Sequence, residues 1–349
     1  MSLLDINFLK DCYTDIKESH LLGKWITLSD IQPLFDKLHD SISKELIGKS
    51  EEGRDIFKLK FGNGKKRILI WSQMHGNEST GTKAVFDFLN FYREYYGHDI
   101  IQDIIENCTI QIIPILNPDG ALAYTRVNAN NVDLNRDAVD QSACESKVLR
   151  KYLDDFNPHF CFNLHDQRTI FGVEGTKNPA TISFLAPSEE ETRKITKGRI
   201  ETMNVIVAMN ELLQKVIPNH IGRYTDEFYP TATGDNFQKL GHNTILIEAG
   251  HFPNDYNREE TRKFNFYSLL QGIYHIAITS DFNMYKPYFK IPNNEKSFFD
   301  VIHRNQEGTD IGFLYVDEIA DNRLTSRLKK EKQGDLKEYF GHHEIVFED

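Results

Sequence analysis

The sequence predicts an α/β fold in which helices flank a mixed, mainly parallel sheet, followed by a small β-rich appendage. Up to about residue 283, short apolar stretches of strand character alternate with helical patterns, as in repeated βα units. Three of the apolar stretches lead directly into His75, His165 or Glu248. Beyond them the pattern changes to prolines and short apolar stretches. We therefore predict a first, larger domain over residues 1–283 and a small β-rich domain or subdomain over residues 284–349.

Composition and charge exclude several classes of protein. The chain of 349 residues has a net charge of -11, and no basic cluster is both large and rich in aromatic residues, so nucleic acid is not expected as a partner. No apolar stretch approaches the roughly 18 residues that span a membrane, and the first residues lack the pattern of a secretory signal. The four cysteines are widely spaced and form no disulfide framework. These features predict a reduced, cytoplasmic protein without a membrane partner; the oligomeric state stays open.

The first elements are expected as follows. Residues 1–50 have apolar positions at helical spacing, and Ser29 with Asp30 is a plausible N-cap, so we predict a helical N-terminal segment. Residues 55–61 alternate polar and apolar side chains, which predicts a half-buried strand. Residues 62–64 then form a turn that leads into a second strand over residues 67–71.

The remaining elements follow from the same periodicities. A helix beginning at Ser79 or Thr80 is expected to reach about residue 96, and the Asn117-Pro118-Asp119-Gly120 segment predicts a turn. Further helices are predicted over residues 145–156, 192–216 and 258–279, and further strands over residues 109–116, 160–164, 244–247 and 312–316.

The stretch from Leu69 to Ser79 carries the first candidate functional residues. An apolar strand ends there, and His75 and Glu78 follow in the loop, where open α/β sheets place their ligands. An imidazole nitrogen and a carboxylate oxygen are a zinc-compatible pair, although a solvated loop also explains an isolated His-x-x-Glu. Because His165 and Glu248 each follow an apolar strand as well, all of these side chains are expected to converge on one edge of the sheet.

A series of motifs extends this pattern over about residues 50–280. In chain order the motifs are His75-x-x-Glu78, Asn117-Pro118-Asp119-Gly120, Arg126, Val132-Asp133-Leu134-Asn135-Arg136, Leu164-His165 and Ile247-Glu248. The sequence thereby resembles the zinc carboxypeptidases of the M14, or carboxypeptidase A-like, family.

The resemblance implies a zinc site and its catalytic groups. His75, Glu78 and His165 match the ligands of one Zn²⁺ per chain, which leaves a coordination position for water, whose pKa the metal lowers. Glu248 matches the general base, which takes the proton of that water and passes it to the leaving amine. Arg126 matches the residue that polarises the scissile carbonyl. The alternatives are an ordinary carboxylate at the sheet rim for Glu248 and a core histidine for His165.

The resemblance also implies roles for residues around the zinc site. Asn135 and Arg136 match the pair that binds the terminal carboxylate of the substrate, for which the planar guanidinium is suited. A surface turn is the alternative reading of this dipeptide. Asp133 matches an aspartate that accepts a hydrogen bond from the first histidine ligand and fixes its tautomer.

Two further residues are matched to the substrate pocket of the family. Tyr229 is the best match to the mobile tyrosine that caps the substrate, with Tyr224 as its rival. Asp235 matches the floor of the side-chain pocket, where it would favour a basic or amino-bearing group. A solvated loop aspartate is the alternative for Asp235.

Two places in the sequence, covering three residues, depart from the animal digestive enzymes of the family. Asn77 stands between the first two ligands where those enzymes usually have an arginine. Asp166 and Gln167 follow the third ligand where they have Ser-Tyr. We expect both changes to reshape subsites away from the terminal carboxylate.

The predicted function is therefore a zinc-dependent metallocarboxypeptidase that hydrolyses the C-terminal peptide bond of peptides by means of zinc-activated water. Its substrate would be a peptide or amino-acid amide with a free carboxylate. A zinc amidohydrolase acting on N-acyl amino acids or on murein or γ-glutamyl peptides would use the same site. A non-catalytic peptide-binding module is the third possibility, and it predicts a missing ligand or base, neither of which the sequence lacks.

Overall fold

A central eight-stranded sheet dominates the computed structural model, which describes residues 2–305 and 309–347. The strands are β1 (Ser43–Lys49), β2 (Asp55–Phe61), β3 (Lys66–Trp71), β4 (Cys108–Ile113), β5 (Phe160–Asp166), β6 (Phe171–Val173), β7 (Ile182–Leu185), β8 (Ile221–Arg223), β9 (Asn243–Ala249), β10 (Asn294–Lys296), β11 (Phe298–Asn305), β12 (Asp310–Ala320), β13 (Arg323–Gly334) and β14 (Phe340–Phe347). The helices are α1 (Ile6–Ile16), α2 (Leu28–Ile31), α3 (Thr80–Glu94), α4 (Asp99–Asn107), α5 (Pro118–Ala123), α6 (Cys144–Phe156), α7 (Lys197–Leu213), α8 (Thr233–Lys239) and α9 (Glu259–Ile278). Short 3-10 helices cover Gln32–Lys37, Leu134–Arg136 and Lys286–Lys290.

The central sheet has the strand order β1-β2-β4-β3-β5-β9-β7-β8. Its middle strands β4, β3, β5 and β9 run parallel to one another. Antiparallel pairs join β1 to β2, β2 to β4 and β7 to β9, while β7 and β8 are parallel. The predicted mixed, mainly parallel sheet flanked by helices is confirmed.

Helices cover both faces of the sheet because its middle strands are apolar on both sides. In β3, Ile68 and Ile70 join the larger core cluster, whereas Leu69 and Trp71 join the smaller one on the opposite face. Buried residues of α1, α3, α4, α7 and α9 build the larger cluster. Residues of α6 and α8 contribute to the smaller cluster, and the sheet is therefore held between two layers of helices.

The prediction of an all-helical segment over residues 1–50 is wrong for its last part. Ser43–Lys49 forms β1, the edge strand paired with β2. Most of its side chains are exposed, so the alternation that identifies a half-buried strand is missing from its sequence. The predicted N-cap is also displaced: Thr27 precedes α2, and its backbone N–H donates to Asp30 Oδ2 at 2.7 Å.

Short elements account for the other differences from the predicted order. The Asn117-Pro118-Asp119-Gly120 segment, predicted as a turn, instead begins α5: Asn117 is its N-cap, and its Oδ1 accepts from Gly120 N at 2.8 Å. The helices α4 and α8 and the strands β6, β7 and β8 were not predicted. Each of these strands has three or four residues, too few for a periodicity to appear.

The β-rich character of the C-terminal part is confirmed. Strands β11 to β14 form a second sheet of order β13-β12-β11-β14, and β10 pairs with β6 of the preceding part. Contacts with the rest of the chain include an ion pair between Lys24 and Asp317 and a hydrogen bond from His342 Nε2 to Thr169 O at 2.9 Å. The division at residue 283 stays a prediction. Within the described residues, no helix has both the length and the apolar character needed to cross a bilayer.

Candidate metal centre

The carboxyl ends of β3, β5 and β9 bring the candidate residues together at one edge of the sheet. His75 follows β3 by four residues, and Glu78 directly precedes Ser79, the N-cap of α3. His165 lies near the end of β5, where it pairs in register with Glu248 of β9. Parallel neighbours end at the same edge, and their ligands meet there.

Four potential metal-ligand atoms of His75, Glu78 and His165 lie close together. His75 Nδ1 lies 2.8 Å from Glu78 Oε1, His165 Nδ1 lies 2.8 Å from Glu78 Oε2, and the two Nδ1 atoms are 3.1 Å apart. One ligand atom from each residue falls within 4.8 Å of the others, and all three side chains are buried. Two imidazoles and one carboxylate are a donor set that suits zinc, so the residues present fit that metal.

Asp133 sets the tautomer of the first histidine. Its Oδ1 lies 3.0 Å from Nε2 of His75, so that nitrogen donates and Nδ1 keeps its lone pair for a metal. Burial alone would raise the pKa of Asp133, but the hydrogen bond and charge of His75, together with Arg126, lower it well below its usual range. The predicted hydrogen bond is present in the structure.

Arg126 lies beside the cluster. Its NH1 is 3.3 Å from Glu78 Oε1 and its Nε donates to Asp133 Oδ2 at 3.0 Å. The side chain is nevertheless about half exposed, at 47%. It is thus oriented by two carboxylates while its remaining N–H groups stay accessible to a ligand.

Glu248 has an environment that favours its protonated form. Burial raises the pKa of its carboxyl well above the usual range, and the negative charges of Glu78 and Asp166 raise it further. Arg126 and Arg258 oppose this rise without cancelling it. A carboxyl with a raised pKa is suited to accept and return a proton near neutral pH.

The predicted carboxylate-binding residues follow Asp133 in the 3-10 helix Leu134–Arg136. Asn135 Oδ1 accepts from Thr233 N at 3.0 Å, which leaves the amide N–H groups of that side chain available. The guanidinium of Arg136 is exposed and lies 6.0 Å from the ring of Tyr229. Tyr229 is itself 48% exposed, as a mobile capping residue requires. Tyr224, its rival, lies near Glu248, and burial together with that charge raises the pKa of its hydroxyl.

Asp235 is buried, and the alternative of a solvated loop aspartate is therefore wrong. Its Oδ1 accepts from Tyr229 N at 3.1 Å, so the carboxylate also holds the loop that carries this tyrosine. Burial raises the pKa of Asp235 to about 6. Its position at the floor of a side-chain pocket stays a prediction.

A cleft of about 380 Å³ opens beside the metal centre and contains residues that the sequence did not single out. Glu78, Arg126, Asn77, Asp166 and Gln167 line its inner side. The outer lining includes Lys24, Arg258, Asp300, Leu314, Tyr315 and Asp317. No local motif marks these outer residues, because they meet only after the second sheet packs beside the centre.

Fold and site together define a mixed α/β protein with a buried His-Glu-His cluster at the carboxyl edge of its sheet. The family model for zinc carboxypeptidases, peptidase family M14, matches residues 30–216. The chain belongs to this zinc carboxypeptidase family.

Individual relatives agree with that membership. Carboxypeptidase SOL1 of Arabidopsis thaliana is 31% identical over 170 residues, which cover 43% of this chain and 35% of that protein. Human carboxypeptidase D is 29% identical over 112 residues, covering 27% of this chain and 8% of that protein. The chain thus spans about a third or less of the length of these two relatives.

Solved structures share the fold at low identity. A metallo-carboxypeptidase from Burkholderia cenocepacia superposes with a TM-score of 0.58 at 16% identity, covering 70% of this chain and 68% of that one. Bovine thrombin-activatable fibrinolysis inhibitor, in complex with tick carboxypeptidase inhibitor, gives a TM-score of 0.57 at 14% identity, covering 72% and 97%. These likenesses establish the architecture.

Proposed function

We propose that the protein is a zinc-dependent metallocarboxypeptidase that releases the C-terminal residue of a peptide. The observation that carries this proposal is the convergence of His75, Glu78 and His165 beside an open cleft. With one Zn²⁺ bound by these three residues, the site has a Lewis acid that activates water and polarises a carbonyl oxygen. Family membership supports the same reaction class.

The proton transfers fall to Glu248. Its carboxylate takes the proton of the attacking water and then delivers it to the nitrogen of the leaving amine. The raised pKa of Glu248 supports this double role, since its environment favours the protonated carboxyl that donates to the leaving amine. Arg126, with its accessible N–H groups beside Glu78, stabilises the negative charge that develops on the carbonyl oxygen.

The predicted carboxylate-binding and capping residues orient the substrate. Arg136 and the amide of Asn135 bind the free α-carboxylate of a peptide or amino-acid amide. Tyr229 closes over the terminal residue, and Asp235 lies beneath it and favours a basic or amino-bearing side chain. The buried contact of Asp235 with the backbone of Tyr229 supports placing both at one pocket.

The test compares two variants with the wild type on a peptide library, read by mass spectrometry with zinc added. Glu248→Gln is expected to lower kcat by about 10²- to 10⁴-fold while keeping its zinc, because only proton transfer is lost. His75→Ala is expected to lose the zinc. Near-normal turnover by Glu248→Gln would contradict the mechanism, and a metal-free, inactive wild type that still binds peptides would favour a binding module.

A second candidate uses the same site on a different bond. The C-terminal strands border the cleft and limit its size, which supports short acyl groups such as those of N-acyl amino acids or of murein or γ-glutamyl peptides. Assaying N-acetyl and N-succinyl amino acids beside ordinary peptides separates the two candidates. Faster turnover of the acyl amino acids would favour the amidohydrolase.

A further inference from the structure

The cleft borders the metal centre but not the predicted carboxylate-binding residues. Glu78 and Arg126 line it, whereas Asn135 and Arg136 do not. If the α-carboxylate of the substrate binds at Asn135 and Arg136, as the proposed function requires, the scissile bond lies over the metal ligands. The cleft then receives the acyl part of the substrate, on the other side of that bond.

The second sheet forms the outer wall of this cleft. Leu314 and Tyr315 of β12 and Asp300 of β11 line it, and the volume of about 380 Å³ lies near the lower end of the roughly 300–1,000 Å³ of small-molecule sites. Asp317 of β12 pairs with Lys24 and also contacts the hydroxyl of Tyr124 at 3.4 Å. The wall is therefore tied to the N-terminal part of the chain and limits the acyl part to a short group.

Arg258 brings a positive charge into the cleft, where it acts on the carboxyl groups of Asp166 and Glu248 without contacting either directly. Its NH1 donates to the carbonyl oxygens of Ala249 and Gly250, the latter at 2.8 Å, and its NH2 donates to Gln167 O at 2.6 Å. Among the described residues it forms no ion pair. Its backbone is left-handed, with φ of 57°, an uncommon conformation for a non-glycine residue. Neutral carbonyls thus orient the guanidinium without neutralising it, and N–H groups remain for an anion.

Asp166 supplies a carboxyl group to the same cleft. Its Oδ2 accepts from Thr80 N at 3.2 Å and from Thr80 Oγ1 at 2.7 Å, while Oδ1 has no partner in the described part of the chain. Both Asp166 and Arg258 line the cleft, but they form no direct ion pair with each other. A ligand that offers an ammonium to Asp166 and a carboxylate to Arg258 satisfies both groups.

We propose that this cleft is an acyl-side subsite for a single acidic amino-acid residue with a free amine. Asp166 binds the ammonium and Arg258 binds the carboxylate, while the second sheet excludes longer chains. The preferred substrate is then a dipeptide whose first residue is acidic, joined either through its α-carboxyl or through its side-chain carboxyl. This inference rests on the proposed function, because it assumes that the α-carboxylate binds on the other side.

The experiment measures KM and kcat of the zinc-loaded full chain on five substrates. These are α-glutamyl-leucine, γ-glutamyl-leucine, alanyl-leucine, N-acetyl-α-glutamyl-leucine and the tripeptide alanyl-glutamyl-leucine. At least one glutamyl dipeptide is expected to have a KM about tenfold or more below that of alanyl-leucine, and acetylation or extension is expected to remove the advantage. The two glutamyl dipeptides decide which linkage the cleft accepts.

Two variants test whether Arg258 and Asp166 cause the preference for glutamyl dipeptides. Arg258→Gln and Asp166→Asn are each expected to bring the KM ratio between the glutamyl and alanyl dipeptides close to one. Arg150→Gln and Asp154→Asn, which alter a surface ion pair on α6, are the matched controls and are expected to keep the wild-type ratio. A purely structural role for Arg258 or Asp166 would instead lower kcat for both dipeptides equally, or lower the melting temperature, and would overturn the proposal.

The measurements distinguish a failure of the acyl-side subsite from a failure of the proposed carboxypeptidase function. Equal KM values for alanyl-leucine and both glutamyl dipeptides would overturn the subsite while leaving the carboxypeptidase intact, and so would efficient hydrolysis of the tripeptide. Release of a C-terminal residue from none of the five substrates and from no peptide of the library would overturn the proposed function itself, and the subsite with it.

Discussion

A single carboxylate behind the first histidine governs how well the centre can hold a metal. Asp133 accepts from His75 Nε2, and it also accepts from the backbone N–H of Asn135 at 2.9 Å. It thereby couples the metal ligand to the residue predicted to bind the substrate carboxylate.

Removing this carboxylate is expected to weaken zinc binding. In Asp133→Ala, the imidazole of His75 loses the partner that fixes its tautomer, and zinc affinity is expected to fall about 10- to 100-fold. Competition with a chromogenic chelator measures the change. Asp140→Ala, at an exposed position nearby, is the control, and unchanged affinity in Asp133→Ala would contradict the proposed role.

The sequence predicts the residues of the site that belong to a motif. It does not predict those that only tertiary packing brings there. His75, Glu78 and His165 were proposed as ligands from the ordered motif series, and the structure brings them together. Arg258 was not proposed, because nothing in its sequence neighbourhood reveals a left-handed backbone or a guanidinium held by carbonyls. The burial of Asp235 was likewise not predictable, since an aspartate beside Thr233 and Gly234 has the composition of a solvated loop.

At the scale of elements, a buried ion pair joins the helices behind the sheet. Arg262 of α9 donates from Nε to Asp87 Oδ2 of α3 at 2.9 Å, and both side chains are fully buried. Tyr13 of α1 also donates its hydroxyl to Asp87 at 3.0 Å. Three helices thus share one buried carboxylate.

Truncation of this carboxylate is expected to destabilise the fold strongly. Asp87→Ala leaves the charge of Arg262 buried and unpaired, and the free energy of unfolding is expected to fall by about 3–5 kcal/mol. Asp154→Ala, which breaks an exposed pair on α6, is expected to change it by less than about 1 kcal/mol. Urea unfolding at constant pH measures both. Equal, small losses in the two variants would contradict the argument.

A buried histidine in α9 makes stability depend on pH. Burial lowers the pKa of His275 to about 4, and its Nε2 lies 2.7 Å from Asn204 Oδ1. Between about pH 6.5 and 4 the unfolded chain binds a proton there that the folded chain does not, so this contribution to stability falls as pH falls. The full difference amounts to roughly 3 kcal/mol.

The measurement compares wild type with His275→Gln, which keeps a polar group near Asn204. Urea unfolding is followed from pH 7 to pH 4, and the wild-type free energy is expected to fall more steeply than that of the variant. Other groups titrate in both proteins and cancel in the difference. Parallel curves would show that His275 does not titrate in this way.

At the scale of helices and strands, the sequence predicts long and buried elements better than short or exposed ones. The strands β2, β3, β5 and β9 and the helices α3, α6 and α9 appear close to their predicted bounds. Strand β2 and helices α3 and α6 have a clear periodicity, strands β3, β5 and β9 are continuous apolar stretches, and α9 is long. The order of the strands was less accessible. Residues 62–64 suggested that β2 turns back beside β3, yet β4 lies between them. Pairing partners depend on tertiary packing that no local pattern encodes.

For the whole molecule, metal binding is expected to contribute to stability. The cluster of His75, Glu78 and His165 exists only in the folded chain, so zinc stabilises that state by mass action. With free zinc at about 1,000 times the dissociation constant, the gain is about 4 kcal/mol. Thermal unfolding with zinc or with EDTA measures the shift, which His165→Ala is expected to abolish. No shift in the wild type would contradict a metal site.

The same cluster has a consequence for the order of events during folding. His75 and Glu78 are three residues apart, whereas His165 lies 90 residues beyond His75 in the chain. Closing a loop of that length costs about 4 kcal/mol in chain entropy, which the pairing of β3 with β5 must offset first. Zinc should therefore be acquired late, by a chain whose sheet has already formed. Its concentration should then affect the rate of unfolding far more than the rate of folding.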